Sequence, residues 1–214
     1  MNSFLDTELQ FLIFCLSTLF TLVNPLGIAP IFVVMTERFS KEDRVKIAQK
    51  GILTGTVTLV IFTFLGSVIF KLYGITVEAF QIMGGILFFR SGLRMLEAQV
   101  SRTRTTESER EEFKETDEIA ISPIGVPLIT GPGAITGVMI LSGQTPSYYS
   151  VGTLLLAVLI TMTAFYYILR AGSGLSKKIG LTGMRVIQRI MGLILMVIAV
   201  QFVINGIEII YNRL

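Results

Sequence analysis

From Leu9 to Met35 the chain carries no charged residue. A helix over that stretch, rising 1.5 Å per residue, is long enough to cross ~30 Å of hydrocarbon. Five more apolar segments follow: Ile52 to Tyr73, Val77 to Leu96, Ile119 to Ser142, Val151 to Arg170 and Val186 to Tyr211. Only 15% of the residues are charged and 52% are hydrophobic, whereas a soluble domain keeps about a quarter charged. The expected fold is all-α: a polytopic membrane protein of six transmembrane helices.

Several function classes drop out. The sequence has no His, so imidazole proton relays and His-ligated metals are excluded, and no metal site or cofactor is expected. Cys15 is the single cysteine and lies in an apolar run, where it reads as a small hydrophobe. The pI near 9.1 reflects basic residues gathered on one side of the bilayer rather than nucleic-acid binding. No Ser, Asp or His arrangement on facing spans suggests an enzyme.

All but Lys71 and Arg213 of the 18 basic residues fall at the ends of the odd spans, the starts of the even ones, or between them. By the positive-inside rule both termini lie outside and these segments are cytoplasmic. The polar stretch from Ser101 to Asp117 reads as a cytoplasmic linker. It divides a first three-helix unit (residues 1–100) from a second (residues 118–214).

The two units echo each other. "PLGIAP" (Pro25 to Pro30) pairs with "PLITGP" (Pro127 to Pro132), "GIT" (Gly74 to Thr76) with "GLT" (Gly180 to Thr182), and "IMG" (Ile82 to Gly84) with "IMG" (Ile190 to Gly192). Three matches in order argue for duplication. Each unit has an odd number of spans, so the second enters the membrane in the opposite sense: two inverted repeats.

Both first spans of the repeats carry backbone breakers. Pro25, Gly27 and Pro30 interrupt span one; Pro123, Gly125, Pro127, Gly131, Pro132 and Gly133 interrupt span four. Pro30 alone would only kink a helix. Together the motifs predict discontinuous first and fourth spans, whose half-helix ends offer N–H groups to a carboxylate and carbonyls to an ammonium. A small zwitterion fits such a site. Asn24 is the best side-chain candidate, with capping of the second half-helix as its alternative role. The G-x-x-x-G from Gly133 to Gly137 suits close helix packing. Gln81, Gln201 and Asn205, near the outer ends of spans three and six, suit interhelical hydrogen bonds or an outer gate. No acidic residue stands at the middle of a span. That absence weakens an embedded proton carrier.

N-P-x-G-x-x-P at Asn24 to Pro30, "GIT" with "IMGG" at Gly74 to Gly85, "VPLITGPGAI" at Val126 to Ile135, and "RIMGLIL" with "QFVINGI" at Arg189 to Ile207 resemble the MarC/SnatA family of inner-membrane proteins over nearly the whole chain. The resemblance implies a transporter of small neutral amino acids such as glycine and alanine, working by alternating access in the cell inner membrane. It points to Asn24, Pro25, Gly27, Pro30, Gly131, Pro132 and Gly133 as substrate-binding; Thr130 and Thr136 join them as hydroxyls beside the second break. Coupling to protons or sodium ions is compatible with these residues. The competing expectations are an exporter of amphipathic drugs or antibiotics, and a membrane protein that only assembles with partners.

Overall fold

The structure, a computed structural model, describes residues 2–36, 39–97, 124–125, 129–145 and 148–212. The linker from Ser101 to Asp117, Pro123 and Pro127 lie outside them. Among the described residues the regular elements are helices: α1 (Asn2–Val23), α2 (Pro25–Met35), α3 (Lys41–Tyr73), α4 (Val77–Leu96), α5 (Pro132–Gly143) and α6 (Tyr148–Tyr211). Four stretches are long and apolar enough to cross a membrane: Asp6–Ala29, Lys41–Gly66, Tyr149–Ala171 and Arg185–Tyr211. The third expected span is helical over its whole range as α4. Glu78, Gln81, Arg90 and Arg94 lower its hydropathy. The described helix of the fourth, α5, has only 12 residues.

Local chemistry sets the helix ends. Ser40 caps α3 by accepting the Asp43 N–H, with Glu42 and Asp43 in the first turn where the helix dipole favours them. At the far end Gly74 takes the left-handed conformation (φ 64°) and donates its N–H to the Phe70 carbonyl, as a helix-terminating glycine does. Two residues on, the Thr76 hydroxyl accepts the Ala79 N–H and starts α4. "GIT" is therefore a stop and a start in three residues. Its counterpart Gly180 to Thr182 is instead helical.

The fifth and sixth expected spans both fall in α6, as two helical arms, Tyr149–Ala171 and Arg185–Tyr211. Between Pro146 and the end of the chain no proline removes a backbone donor, and glycines only weaken a helix. The chain nevertheless reverses direction within α6. In its first half Tyr166 meets Gln49 and Met162 meets Gly55, so this half runs antiparallel to α3. α3 runs with α5, since Gly55 lies by Ile129 and Thr63 by Ser142. α5 opposes α4, with Gly143 at Val77 and Gly133 at Phe88. The second half of α6 also opposes α4, with Gly192 at Gly92 and Ala199 at Gly85. The two halves of α6 are thus antiparallel to each other.

At the α4–α6 contact glycine lets backbone approach backbone. A Cβ on Gly92 would lie 2.7 Å from the Gly192 carbonyl oxygen, and one on Gly192 would lie 2.7 Å from that of Gly92. Gly85 is as close to the Ala199 carbonyl, and Gly206 would meet Ile82 at 2.7 Å. Gly85 and Gly92, and Gly192, Ala199 and Gly206, stand at heptad spacing. In lipid no hydrophobic force draws helices together, so close packing through small residues does that work.

Packing divides into two cores. The first joins α1, α2, α3, α5 and the first half of α6 around Cys15, Leu19, Phe32, Leu59, Val138 and Phe165. The second joins α4 and the second half of α6 through Phe88, Leu195, Ala199 and Phe202, with Ile140 of α5. Outward rows such as Leu53, Val57, Ile61, Phe64 and Val68 on α3 are exposed, which in a membrane means facing hydrocarbon.

Gly92→Leu should force the backbones apart, costing about 1–3 kcal/mol or more, and lower the melting temperature of purified protein. Gly152, helical with nothing within 4 Å of an added Cβ, should accept Ala with no loss, and a thermal scan of both variants checks the contrast.

Candidate functional site

The first break is a single residue. Asn24 stands between α1 and α2 with φ 50°, the one non-glycine positive φ among the described residues. Asn tolerates this region better than most residues because its short side chain bonds locally. Here the Asn24 Oδ1 accepts the Gly27 N–H at 3.2 Å, and the Asn24 carbonyl accepts the N–H groups of Gly27 and Ile28. Asn24 thus caps α2, which settles its structural role. Its Nδ2 faces only the Met95 sulfur of α4, at 3.9 Å, a weak acceptor.

Pro25 occupies the first position of α2, where a missing N–H costs least. It leaves the Thr21 carbonyl without the donor an unbroken helix would supply. Gly27 is required by space: a Cβ there would overlap the Asn24 amide. Pro30 does not break the chain, since α2 continues through it to Met35. The interruption expected across Pro25 to Pro30 is therefore confined to Asn24.

The second break differs. Gly131 precedes α5 with φ −62° and ψ 168°, extended backbone open to any residue. Glycine here is not a conformational requirement; what it supplies is the absence of a side chain. α5 has no side-chain cap, and Pro132 stands at its first turn. The N–H groups of Gly133 and Ala134 then have no intrahelical acceptor. A Cβ on Gly133 would meet only the Phe88 ring, at 3.8 Å. Among the described residues no side chain caps this helix end, and only the Phe88 ring approaches Gly133.

The two hydroxyl candidates part company. Thr130 is buried and donates to the Gly125 carbonyl at 2.9 Å, and its methyl group points toward Gly55 of α3. It closes the turn before α5. Thr136 is buried one turn into α5, with its methyl against Gly84 of α4. Of the G-x-x-x-G pair, Gly137 is filled by Leu22 of α1, while Gly133 stays open. The α4 face connects the breaks: Phe88 lies by Gly133 and Met95 by Asn24, roughly 10 Å apart along the helix.

Sequence reading named Gln81 but missed Thr18 and Thr161 among the polar residues that stand out in the interior. Buried Thr21, Thr36 and Thr63 return their hydroxyls to the carbonyl one turn back. The Thr18 and Thr161 hydroxyls and both amide atoms of Gln81 are buried without a hydrogen-bond partner. Such a group costs about 1–3 kcal/mol. Gln201, by contrast, donates to Asn205 on its own helix at 2.6 Å, so that pair is not interhelical. Glu78, one turn from Gln81, is 7% exposed. Glu8 on α1 accepts the hydroxyls of Ser150 and Thr153 at 2.6 Å each and ties α1 to α6. No cluster of metal-ligating side chains occurs among the described residues.

Asn24→Ala should lose both the cap and the left-handed tolerance, about 1–2 kcal/mol. Asn24→Gly keeps the conformation and should cost less. Gly27→Ala should resemble Asn24→Ala, because it displaces the capping amide; melting temperatures order the three.

Comparison with known proteins places the chain in a family. A family model described as MarC family integral membrane protein matches residues 9–211. The UPF0056 membrane protein MJ0972 of Methanocaldococcus jannaschii is 37% identical over 96% of this chain and 90% of its own length. YvbG of Bacillus subtilis is 34% identical over 93% of this chain and 95% of its own. YhcE of Escherichia coli is 31% identical over 97% and 95%. No solved structure matches. With relatives this similar along almost their entire length, the chain belongs to the MarC family of integral membrane proteins.

Proposed function

We propose that the protein is a secondary transporter of small neutral amino acids, glycine and alanine foremost, working by alternating access in the cell inner membrane. The N-terminus of α5, which no described side chain caps, carries the reading. Its first N–H groups and dipole end suit a carboxylate, and Gly133, with only the Phe88 ring near it among the described residues, suits a substrate with little or no side chain. The Thr21 carbonyl freed by Pro25 at the other break suits the ammonium. No protein charge is needed at either pole.

In this reading the chain makes six spans as two inverted repeats of three, with both termini outside and the first and fourth spans discontinuous. The paired motifs on either side of the linker, Pro25 to Pro30 with Pro127 to Pro132 and Ile82 to Gly84 with Ile190 to Gly192, support it. Coupling to a proton or sodium gradient supplies the driving force.

Reconstituted protein should take up labelled glycine and alanine above empty liposomes when a proton or sodium gradient is imposed. Absence of saturable uptake under either gradient would refute the reading. Gly133→Leu should fold normally, since among the described residues only the Phe88 ring approaches that position, and should reduce uptake at least tenfold by filling the space.

A further inference from the structure

Gln81 is 0% exposed, and neither its Oε1 nor its Nε2 has a partner. Its helix neighbours locate it. Gly84, one turn on, is filled from α5 by Thr136 and Ile140, and Phe88, two turns on, touches Phe202 with ring centroids 5.7 Å apart. Gln81 therefore stands on the face of α4 that meets α5 and α6. Thr18 is 0% exposed and equally unpartnered. It lies between Phe14, which meets Phe202 edge-on at 6.2 Å, and Leu22, which fills the place of a Gly137 side chain. Residues four apart share a helix face, so Thr18 is on the α1 stripe turned toward the second core. The two cores meet along this seam, and an unpartnered polar group sits on each side of it.

Apolar residues of similar size would seal such a seam better, because burying an unpaired amide is unfavourable. We infer that the seam between the two cores opens as the path of the substrate, and that Gln81 and Thr18 hydrogen-bond the small zwitterion as it passes between the membrane surface and the breaks. This rests on the transporter reading above. A single amide serves both poles of the ligand: its Oε1 accepts from the ammonium and its Nε2 donates to the carboxylate. Gln81 lies roughly 10 Å along α4 from Phe88 and the mouth of α5, too far for one glycine molecule to touch both at once. It marks a separate station. Thr161, the other unpartnered hydroxyl, is flanked along its helix by Ala157, Val158, Met162 and Phe165 of the first core and belongs to no path.

Uptake and thermal stability measured together test this in liposomes and detergent. Gln81→Leu and Thr18→Val should each cut glycine uptake about tenfold, the value of a hydrogen bond to a charged group, while melting at the same temperature as the parent or higher. A purely structural role would move uptake and stability together. Thr161→Val should leave uptake unchanged. In a Cys15→Ala background, Gln81→Cys should react with a charged, membrane-impermeant methanethiosulfonate, and glycine should slow the reaction. Unchanged uptake in both seam variants, or an unreactive Gln81→Cys protein, would overturn the inference. Should the parent protein carry no neutral amino acid, the transporter reading fails by itself. The labelling then decides alone whether the seam admits polar solutes.

Discussion

Gly92 and Gly192 meet backbone to backbone, and much of the architecture follows from that approach. Two helices can lie this close only where neither presents a side chain, and heptad-spaced small residues keep the contact going from Gly85 to Gly206. The pair becomes a body with its own core. α4 cannot then merge into the larger core around α1 and α3, because its innermost face is spent on α6. A seam is left between the two bodies, closed by rings at Phe14, Phe88 and Phe202 and by the contacts of α5 with α4, Ile140 at Gly84 and Gly143 at Val77.

The break at Asn24 was legible because its chemistry is local: an αL-tolerant residue, a proline suited to a first turn, and a glycine under the capping amide. The same holds for Ser40, Gly74 and Thr76, each of which acts within four residues of itself. Pro30 misled for the same reason seen in reverse. Its effect depends on whether neighbouring helices hold the turn together, and α2 is held by the first core, which contains Ile28, Ala29 and Phe32. The heptads of small residues were visible in the sequence, yet only the antiparallel register turns them into a contact. Gln81 could not be ranked above Gln201 by type or position. Burial separates them, and burial is a property of three helices at once.

The two breaks carry related motifs but opposite chemistry. At the first, the protein supplies its own acceptor, Asn24, to the helix that follows. At the second, an unstrained position that could hold Ser, Asp or Asn holds glycine, and the helix end stays bare. A sequence selected only for stability would cap α5, since a cap is worth about 1 kcal/mol. In the transporter reading proposed above, the uncapped N–H groups of Gly133 and Ala134 receive the carboxylate, and the Thr21 carbonyl released by Pro25 takes the ammonium. On that reading size selection needs no gatekeeping side chain: a glycine at position 133, with the Phe88 ring as its described neighbour, admits a small amino acid and leaves no place for a bulky one.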